Sequence, residues 1–285
     1  MKKIVFIVYR EWAYEIYKRI LFFQKSNMEF EVAALITIPN SEFKRESDDV
    51  QNFVVDGNDN EEILRIMDEI KPDAIFYYGW SWLVKELIFS KYLCICLHPS
   101  PLPRYRGGSP IQHQIIQGET ESAVSVFRMG AGLDDGDIYK QESISLSGSL
   151  KDIFTSIIQA GAKITENLII DLINGNIKFY PQMNLSENPP LKRRKPEEGE
   201  IKLDEISEKN YVEIYNLVRA LADPYPNAYI QLSKGKLLIK KIKFCSQIPE
   251  SVFLYANLFS DSTDGVPNFL RLLDGYAEII ESQLV

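Results

Sequence analysis

The chain has 285 residues, 45% of them apolar and 25% charged, which is typical of a globular protein with one large or two small domains. The formal net charge of −8 argues against a protein whose main task is to bind nucleic acid, because such binding needs a basic face. No run approaches the roughly 18 apolar residues of a membrane span, so we expect neither a nucleic-acid nor a membrane partner. Three cysteines without metal-type spacing favour a reducing, cytoplasmic location.

The first third of the chain alternates between strand and helix patterns. Short apolar runs predict strands at 2–8, 30–38, 73–79 and 92–97. Apolar residues at helical spacing predict helices at 11–24, 61–70 and 84–90. The first apolar run is shorter than the roughly 7–15 residues of a signal peptide, and the polar stretch 41–60 predicts a surface loop. This alternation predicts a Rossmann-like, doubly wound, mostly parallel α/β sheet.

The rest of the chain changes in character near residue 180. Before that point, the patterns predict helices at 109–118 and 150–174 and strands at 122–129 and 137–144. Residues 180–199 are rich in Pro, Lys, Arg and Glu, which is typical of a linker. A helix at 210–222 and short strands follow, including a hairpin at Asp274-Gly275 with a predicted type I′ turn. We therefore predict an α/β domain at 1–179, a linker at 180–200 and a small β-rich, OB-like domain at 201–285.

His98 is the first candidate for chemistry. It follows the apolar strand predicted at 92–97 and enters a loop that Pro99, Pro101 and Pro103 stiffen. The carboxyl ends of strands are where α/β sheets place ligands. The acidic turn 133–137, LDDGD, could bring Asp134 to this ring, and such a pair suits general acid–base catalysis near neutral pH.

Several other residues have both a functional and a structural interpretation. Trp80 and Trp82 flank Ser81 after a predicted strand, and they could sandwich a flat heterocycle or simply be core residues. Arg104, Tyr105 and Arg106 could bind phosphate and stack on a base or sugar, or they could anchor their loop by hydrogen bonds.

The remaining motifs narrow the chemistry. For His113, the second of only two histidines, and for the cysteines Cys94 and Cys96 on one strand face, we predict structural roles. The acidic turn lacks a second ligand cluster, so we predict no metal site. The sequence contains no glycine-rich phosphate motif and no G-x-S-x-G elbow, which argues against dinucleotide, P-loop and serine-hydrolase chemistry.

Four segments together resemble one family. Residues 98–107, HPSPLPRYRG, resemble the H-x-S-L-L-P-x-Y-R-G signature of the folate-dependent formyltransferases, and residues 133–138, LDDGDI, resemble their L-D-x-G-x-I segment. Residues 219–228 resemble the R-A…P-Y-P-x-A element that follows the linker in this family. Residues 194–201, RKPEEGEI, are similar to the R-x-P-x-D-G-x-I run of the branch that modifies nucleotide sugars. The resemblance extends roughly over residues 2–244.

The resemblance implies transfer of a formyl group from N10-formyltetrahydrofolate to an amine, with residues 1–179 as the catalytic domain. His98 is then expected beside the attacking amine, where it accepts a proton or stabilises the oxyanion, with Asp134 paired to it. The pterin of the folate is expected in a pocket formed by Trp80, Ser81, Trp82, Leu83, Met129 and Asp134.

Three features depart from the family pattern, and one of them is Pro101, which replaces a leucine of the S-L-L-P run and stiffens the loop. Cys96 stands where the family has an asparagine two residues before the histidine, and a thiol is a poor donor for a developing oxyanion. Losing one such donor costs about 2.7–4 kcal/mol in other enzymes, so another donor has taken over, the reaction is slow, or the site has changed its use. The exit of the first strand, residues 9–12, lacks the usual glycine, which makes Arg10 a candidate for contact with a diphosphate.

The linker match favours a UDP- or dTDP-linked deoxyamino sugar as the amine, in the biosynthesis of surface glycans. Tyr78, Arg104 and Tyr105 are further candidates for substrate contacts. One rival hypothesis is methionyl-tRNA formylation, although that branch carries a larger C-terminal domain with a basic surface. Another is a non-catalytic homologue that binds folate or a sugar nucleotide. The C-terminal strands leave a homodimer open.

Overall fold

A computed structural model describes residues 1–46, 49–248, 257–260 and 266–285, and the backbone of 252–255. These residues form two compact units. Unit 1 comprises Met1–Pro110 and Glu121–Leu191, and unit 2 comprises Ile111–Thr120 and Lys192–Val285. The limits predicted for the domains and the linker stay predictions.

Unit 1 is built on one seven-stranded sheet. Its strands are β1 (Lys2–Val8), β2 (Phe30–Thr37), β3 (Gln51–Val54), β4 (Ala74–Tyr78), β5 (Cys94–His98), β6 (Glu121–Arg128) and β7 (Ile138–Ser145). The strand order is β3-β2-β1-β4-β5-β6-β7, with parallel pairing from β3 to β5 and antiparallel pairing of β6 and β7. The predicted Rossmann-like, mostly parallel sheet is therefore confirmed.

Helices connect these strands, and the longest one, α5, shows how local sequence fixes the two ends of a helix. The helices are α1 (Glu11–Gln24), α2 (Asn60–Ile70), α3 (Glu86–Phe89), α4 (Pro110–Ile116) and α5 (Leu150–Asn174). α5 starts at a capping box in which Ser149 and Asp152 satisfy each other's backbone N–H groups, and it ends at Gly175 in the left-handed conformation. Gly161 lets α5 approach the sheet, because an added Cβ would lie 2.7 Å from both Ile16 and Leu97.

Strand alternation decides which side chains of β5 meet the candidate site. Cys94, Cys96 and His98 are two residues apart, so they share one face, whereas Leu97 faces α5. Cys94 and Cys96 belong to the apolar cluster that also contains Tyr77 of β4. The prediction that the two cysteines share a face is confirmed.

Among the described residues, unit 2 contains one antiparallel sheet and the helix α6, and its limits also include most of α4. The elements are α6 (Tyr211–Ala220), β8 (Ala228–Leu232), β9 (Gly235–Cys245), β10 (Val252–Tyr255), β11 (Leu258–Ser260), β12 (Phe269–Leu272) and β13 (Gly275–Leu284). The strand order is β10-β11-β12-β13-β9-β8, and a separate apolar core is shared by the helix and the sheet. The predicted small β-rich C-terminal part is confirmed.

Two local predictions are wrong. The polar stretch 41–60 contains the edge strand β3, and the β12–β13 turn is not type I′. Leu272 pairs with Gly275, so the turn residues are Leu273 and Asp274, and neither has the positive φ that type I′ requires. The Asp274 carboxylate instead accepts a hydrogen bond from the backbone N–H of Tyr211, the first residue of α6, at 2.9 Å. Helix capping therefore takes precedence over the turn preference here.

Candidate active site

His98, the last residue of β5, is 7% exposed and lies against the acidic turn. Its Nδ1 is 3.4 Å from Oδ2 of Asp134, and its Nε2 is 2.8 Å from the backbone oxygen of Tyr105. A carbonyl oxygen only accepts hydrogen bonds, so Nε2 carries the ring hydrogen. In the neutral ring, Nδ1 is therefore the nitrogen with the free lone pair, and it faces the Asp134 carboxylate.

The loop after β5 holds both members of this pair. Tyr105 has a φ of 60°, and this left-handed conformation turns its carbonyl toward the His98 ring. Gly107, with a φ of 93°, donates its backbone N–H to Oδ2 of Asp134 at 2.8 Å. A Cβ on Gly107 would collide with the backbone oxygen of Leu191. The glycine of the sequence motif is thus needed for the close approach of two chain segments.

Gln182 is a residue of this site that the sequence did not reveal. Its Nε2 donates hydrogen bonds to the backbone oxygens of Asp134 at 2.9 Å and Gly136 at 2.8 Å. It lies in the segment predicted as a linker. The only signal in the sequence was that a glutamine follows Pro181 there, and composition gave it no weight.

Cys96 lies beside Tyr77 in the parallel register of β4 and β5, and its side chain is half-buried. Burial, with the neighbouring Asp134 and Cys94, raises the pKa of the Cys96 thiol well above its usual range. Burial also raises the pKa of Cys94 to about 12. Both groups therefore remain neutral thiols at physiological pH. The Tyr77 hydroxyl is buried without a hydrogen-bond partner in the described part of the chain.

The structure brings together some of the residues predicted to bind folate. Trp80 and Met129 are half-buried and pack on the same apolar cluster as Cys96, and the Trp80 indole N–H has no hydrogen-bond partner among the described residues. The Trp82 ring contacts Trp80, with centroids 4.9 Å apart, rather than facing it in parallel across a gap. Ser81 and Leu83 are exposed, Leu83 by 81%.

Two of the residues predicted to contact substrate, Arg10 and Tyr78, have partners within the protein. Arg10 forms an ion pair with Glu42, and its guanidinium lies 4.6 Å from the Tyr9 ring centre. Tyr78 is fully buried, and its hydroxyl is 2.8 Å from Oγ1 of Thr165. The prediction of a substrate contact for Tyr78 is therefore wrong, because strand alternation directs this side chain to the α5 face.

The loop residues Arg104 and Tyr105 remain accessible to different degrees. Arg104 is exposed and its guanidinium lies 5.1 Å from the centre of the half-buried Tyr105 ring. The Nε2 of His113 lies 3.0 Å from the backbone oxygen of Lys192, within unit 2. Among the described residues, no cluster of His, Cys, Asp or Glu is arranged to hold a metal ion, and no helix has the length and apolarity to cross a membrane.

Comparison with known proteins identifies the family. A family model described as formyl transferase matches residues 18–172, more than half of the chain, and a formyl transferase C-terminal domain model matches residues 194–252. The chain belongs to the formyl transferase family. This confirms the resemblance carried by the motifs at His98 and Asp134.

Two relatives of this chain are described as methionyl-tRNA formyltransferases. A methionyl-tRNA formyltransferase of Clostridium acetobutylicum is 32% identical over 66% of the chain, which spans 60% of that relative's length. The solved methionyl-tRNA formyltransferase of Clostridium thermocellum has a TM-score of 0.63 at 25% identity, covering 86% of this chain and 94% of the other.

Two further solved structures share the fold. A sugar N-formyltransferase from Shewanella sp. has a TM-score of 0.68 at 15% identity, covering 85% of this chain and 97% of the other. HypX from Aquifex aeolicus in complex with tetrahydrofolic acid has a TM-score of 0.69 at 15% identity, covering 99% of this chain and 44% of the other.

Proposed function

We propose that the chain transfers the formyl group of N10-formyltetrahydrofolate to the amino group of a UDP- or dTDP-linked deoxyamino sugar. The observation that carries the proposal is the His98–Asp134 pair, held 3.4 Å apart at the carboxyl end of β5 in a formyl transferase. The motif resemblance supplies the formyl donor, and the 194–201 segment favours the sugar.

The pair can carry the one proton that the reaction moves from the amine to N10. The folate supplies the formyl carbon. As the amine nitrogen bonds to that carbon, Nδ1 of His98 takes a proton from the amine, and the Asp134 carboxylate stabilises the imidazolium. The bond between the formyl carbon and N10 then breaks, and His98 gives the proton that it took from the amine to N10. The Tyr105 carbonyl keeps the hydrogen on Nε2, so Nδ1 is the nitrogen available as the base.

The residues around Cys96 fit a flat heterocycle with polar edges. Trp80 and Met129 offer apolar contact, and two buried donors, the Tyr77 hydroxyl and the Trp80 indole N–H, have no partner in the described part of the chain. Pockets for such ligands combine apolar walls with a few polar groups. We assign the pterin to these residues, with Trp82 as a supporting contact.

The choice of a sugar rests on charge and on a relative. A net charge of −8 disfavours the polyanionic surface of tRNA. The solved protein from Shewanella is described as a sugar N-formyltransferase and shares this fold. We keep the nucleotide part of the substrate as the proposed contact of Arg10, Arg104 and Tyr105. We also propose that the reaction takes place in the cytoplasm, because no described cysteine is in a disulfide.

The test is product mass after incubation with N10-formyltetrahydrofolate and a panel of UDP- and dTDP-amino sugars. We expect a gain of one formyl group on one member of the panel, and loss of this gain in the His98→Asn variant. Full turnover by His98→Asn would disprove the role of His98 as the base.

Methionyl-tRNA formylation is the second candidate, favoured by the 32% identity to the relative from Clostridium acetobutylicum. Formylation of charged initiator tRNA, with no sugar modified, would establish it. If the wild type modifies neither the sugars nor the tRNA and Cys96→Asn is active, the natural chain is a non-catalytic homologue that binds folate or a sugar nucleotide. A homodimer stays a prediction.

A further inference from the structure

The segment between α5 and unit 2 binds both loops of the candidate site. We call residues 180–191 the strap. At its start, Tyr180 exchanges two backbone hydrogen bonds of 2.8 Å with Ile138, and at its end Leu191 accepts from Gly108 and donates to Arg106. A stretch with the composition of a linker therefore has fixed partners along its length.

The strap reaches the His98 loop through a buried arginine. Arg106 is 7% exposed and donates to the backbone oxygens of Asn188 at 2.7 Å and Leu185 at 3.0 Å. These acceptors are neutral carbonyls of the strap. Arg106 thus anchors the loop that carries the Tyr105 carbonyl and the Gly107 N–H.

The strap reaches the Asp134 turn through Gln182. This side chain is 8% exposed, and both hydrogens of its amide are used, one on the Asp134 oxygen and one on the Gly136 oxygen. Its Oε1 is buried without a partner among the described residues. The reversed amide would set its oxygen against two carbonyl oxygens, so the orientation is fixed by the two donated bonds.

Asp134 needs this support because of its backbone. Its φ is 52°, a left-handed conformation that a residue with a side chain adopts only when its surroundings impose it. One oxygen of its carboxylate is held by the Gly107 N–H, and its carbonyl is held by Gln182. Without the second bond, the turn can relax and carry the carboxylate away from Nδ1 of His98.

We propose that Gln182 is a positioning residue: by holding the backbone of the Asp134 turn, it keeps the carboxylate against Nδ1 of His98. The effect on rate rests on the proposed function, whereas the effect on the His98 ring does not. Gln182 acts through Asp134 and touches no reacting atom.

The kinetic test uses Gln182→Met, which keeps the size of the side chain and removes both donors. We expect kcat to fall by about 10- to 100-fold, because small displacements of catalytic groups have effects of this size, while the KM for each substrate stays within about twofold. Gln231→Met is the matched control, since Gln231 also donates to two backbone oxygens, those of Leu232 and Gly235, but on β8. We expect it to leave both constants unchanged.

The second readout needs no turnover. The chain has only two histidines, so ¹⁵N spectra of the imidazoles resolve His98, which the His98→Asn variant assigns. We expect Gln182→Met to move the Nδ1 shift of His98 toward its value in Asp134→Asn, and Gln231→Met to leave it in place. If Gln182→Met does not fold, Gln182→Asn, one methylene shorter, takes its place.

A folded variant with wild-type kcat, or one whose Nδ1 shift equals that of the wild type, would overturn the proposal. If the wild type itself transfers no formyl group, the proposed function fails, and the ring shifts alone decide on Gln182. The two failures are therefore distinguishable.

Discussion

Cys96 stands where the family signature has an asparagine, and its surroundings show what this difference changes. In the sheet register Cys96 lies between Tyr77 of β4 and Phe127 of β6, on the face that carries His98. It is a weak hydrogen-bond donor, so a negative charge developing on the formyl oxygen receives little help from it. The neighbouring Tyr77 hydroxyl is a stronger donor, but we assign it to the edge of the pterin rather than to the formyl oxygen.

Replacing Cys96 by asparagine should raise kcat by about 10-fold or more, since one well-placed donor to an oxyanion contributes at least this much. The comparison is steady-state kinetics of Cys96→Asn against Cys96→Ala, which removes the thiol without adding a donor and should resemble the wild type. Equal kcat values for all three proteins would mean that no donor is needed at this position.

The raised thiol pKa values lead to a test by alkylation. Because the pKa of Cys94 is about 12 and that of Cys96 is well above its usual range, neither forms the reactive thiolate at pH 8, and each gains reactivity only as the pH rises. Mass spectrometry after iodoacetamide treatment should find Cys245 labelled first. In denaturant all three should react, and labelling of Cys96 at the rate of Cys245 in the native protein would contradict the raised pKa of the Cys96 thiol.

Tyr78→Phe tests the structural role of a residue that the sequence assigned to substrate. The variant loses the hydroxyl bonded to Thr165, whose own hydroxyl still donates to the Gly161 oxygen at 2.6 Å. We expect a loss of about 1 kcal/mol in the free energy of unfolding, measured in urea. The KM values should not change, and a raised KM for the sugar nucleotide would restore Tyr78 as a binding residue.

At the scale of elements, the loop from β5 and the strap depend on one glycine. Gly107→Ala places a methyl group against the Leu191 backbone and forces a φ of 93° on a residue with a Cβ. We expect the loop to move, the Gly107 N–H to leave Asp134, and kcat to fall by at least about 10-fold. Gly118→Ala is the control in the kinetic assay, because it has a similarly positive φ but no atom within 4 Å of an added Cβ. Equal activity of both variants would contradict the role of the close approach.

Periodic elements could be predicted from the sequence, and elements that depend on partners could not. The first strand, α1 and α5 have the predicted bounds because their apolar spacing is a local property, and α5 also has a local capping box. Strand β3 was missed because Gln51 and Asn52 are exposed at the edge of the sheet and show no apolar run. The strap was missed because its hydrogen bonds go to segments distant in sequence, and composition carries no information about them.

The candidate site divides in the same way. The motif residues His98 and Asp134 could be predicted because their roles need particular side chains. Gln182 and the Tyr105 carbonyl could not, since one acts on backbone atoms and the other is a backbone atom. Tyr78 was misassigned because the sequence does not tell which face of the strand looks toward the ligand.

At the scale of the whole molecule, the net charge of −8 disfavours tRNA as the substrate, and the salt dependence of KM can distinguish tRNA from a nucleotide sugar. Binding of tRNA displaces counterions from phosphates, so its affinity falls by about 10³–10⁵ between 50 and 200 mM salt when several phosphates are neutralised. A nucleotide sugar carries only a diphosphate. We expect the KM for the sugar nucleotide to rise less than about 10-fold between 50 and 200 mM KCl. Sucrose, which is uncharged, serves as the control at the same osmolarity. A KM for charged tRNA that rises by about 10³-fold or more over the same range would favour tRNA formylation instead.

The strap also matters for anyone who wishes to engineer this protein. Its composition marks residues 180–191 as the natural place for a tag, a cleavage site or an inserted domain, since such segments usually tolerate additions. Here the backbone of that stretch is bonded to the loops of His98 and Asp134. An insertion would separate residues that are now held by these hydrogen bonds. We expect the seven-stranded sheet to stay folded, while His98 and Asp134 lose their arrangement.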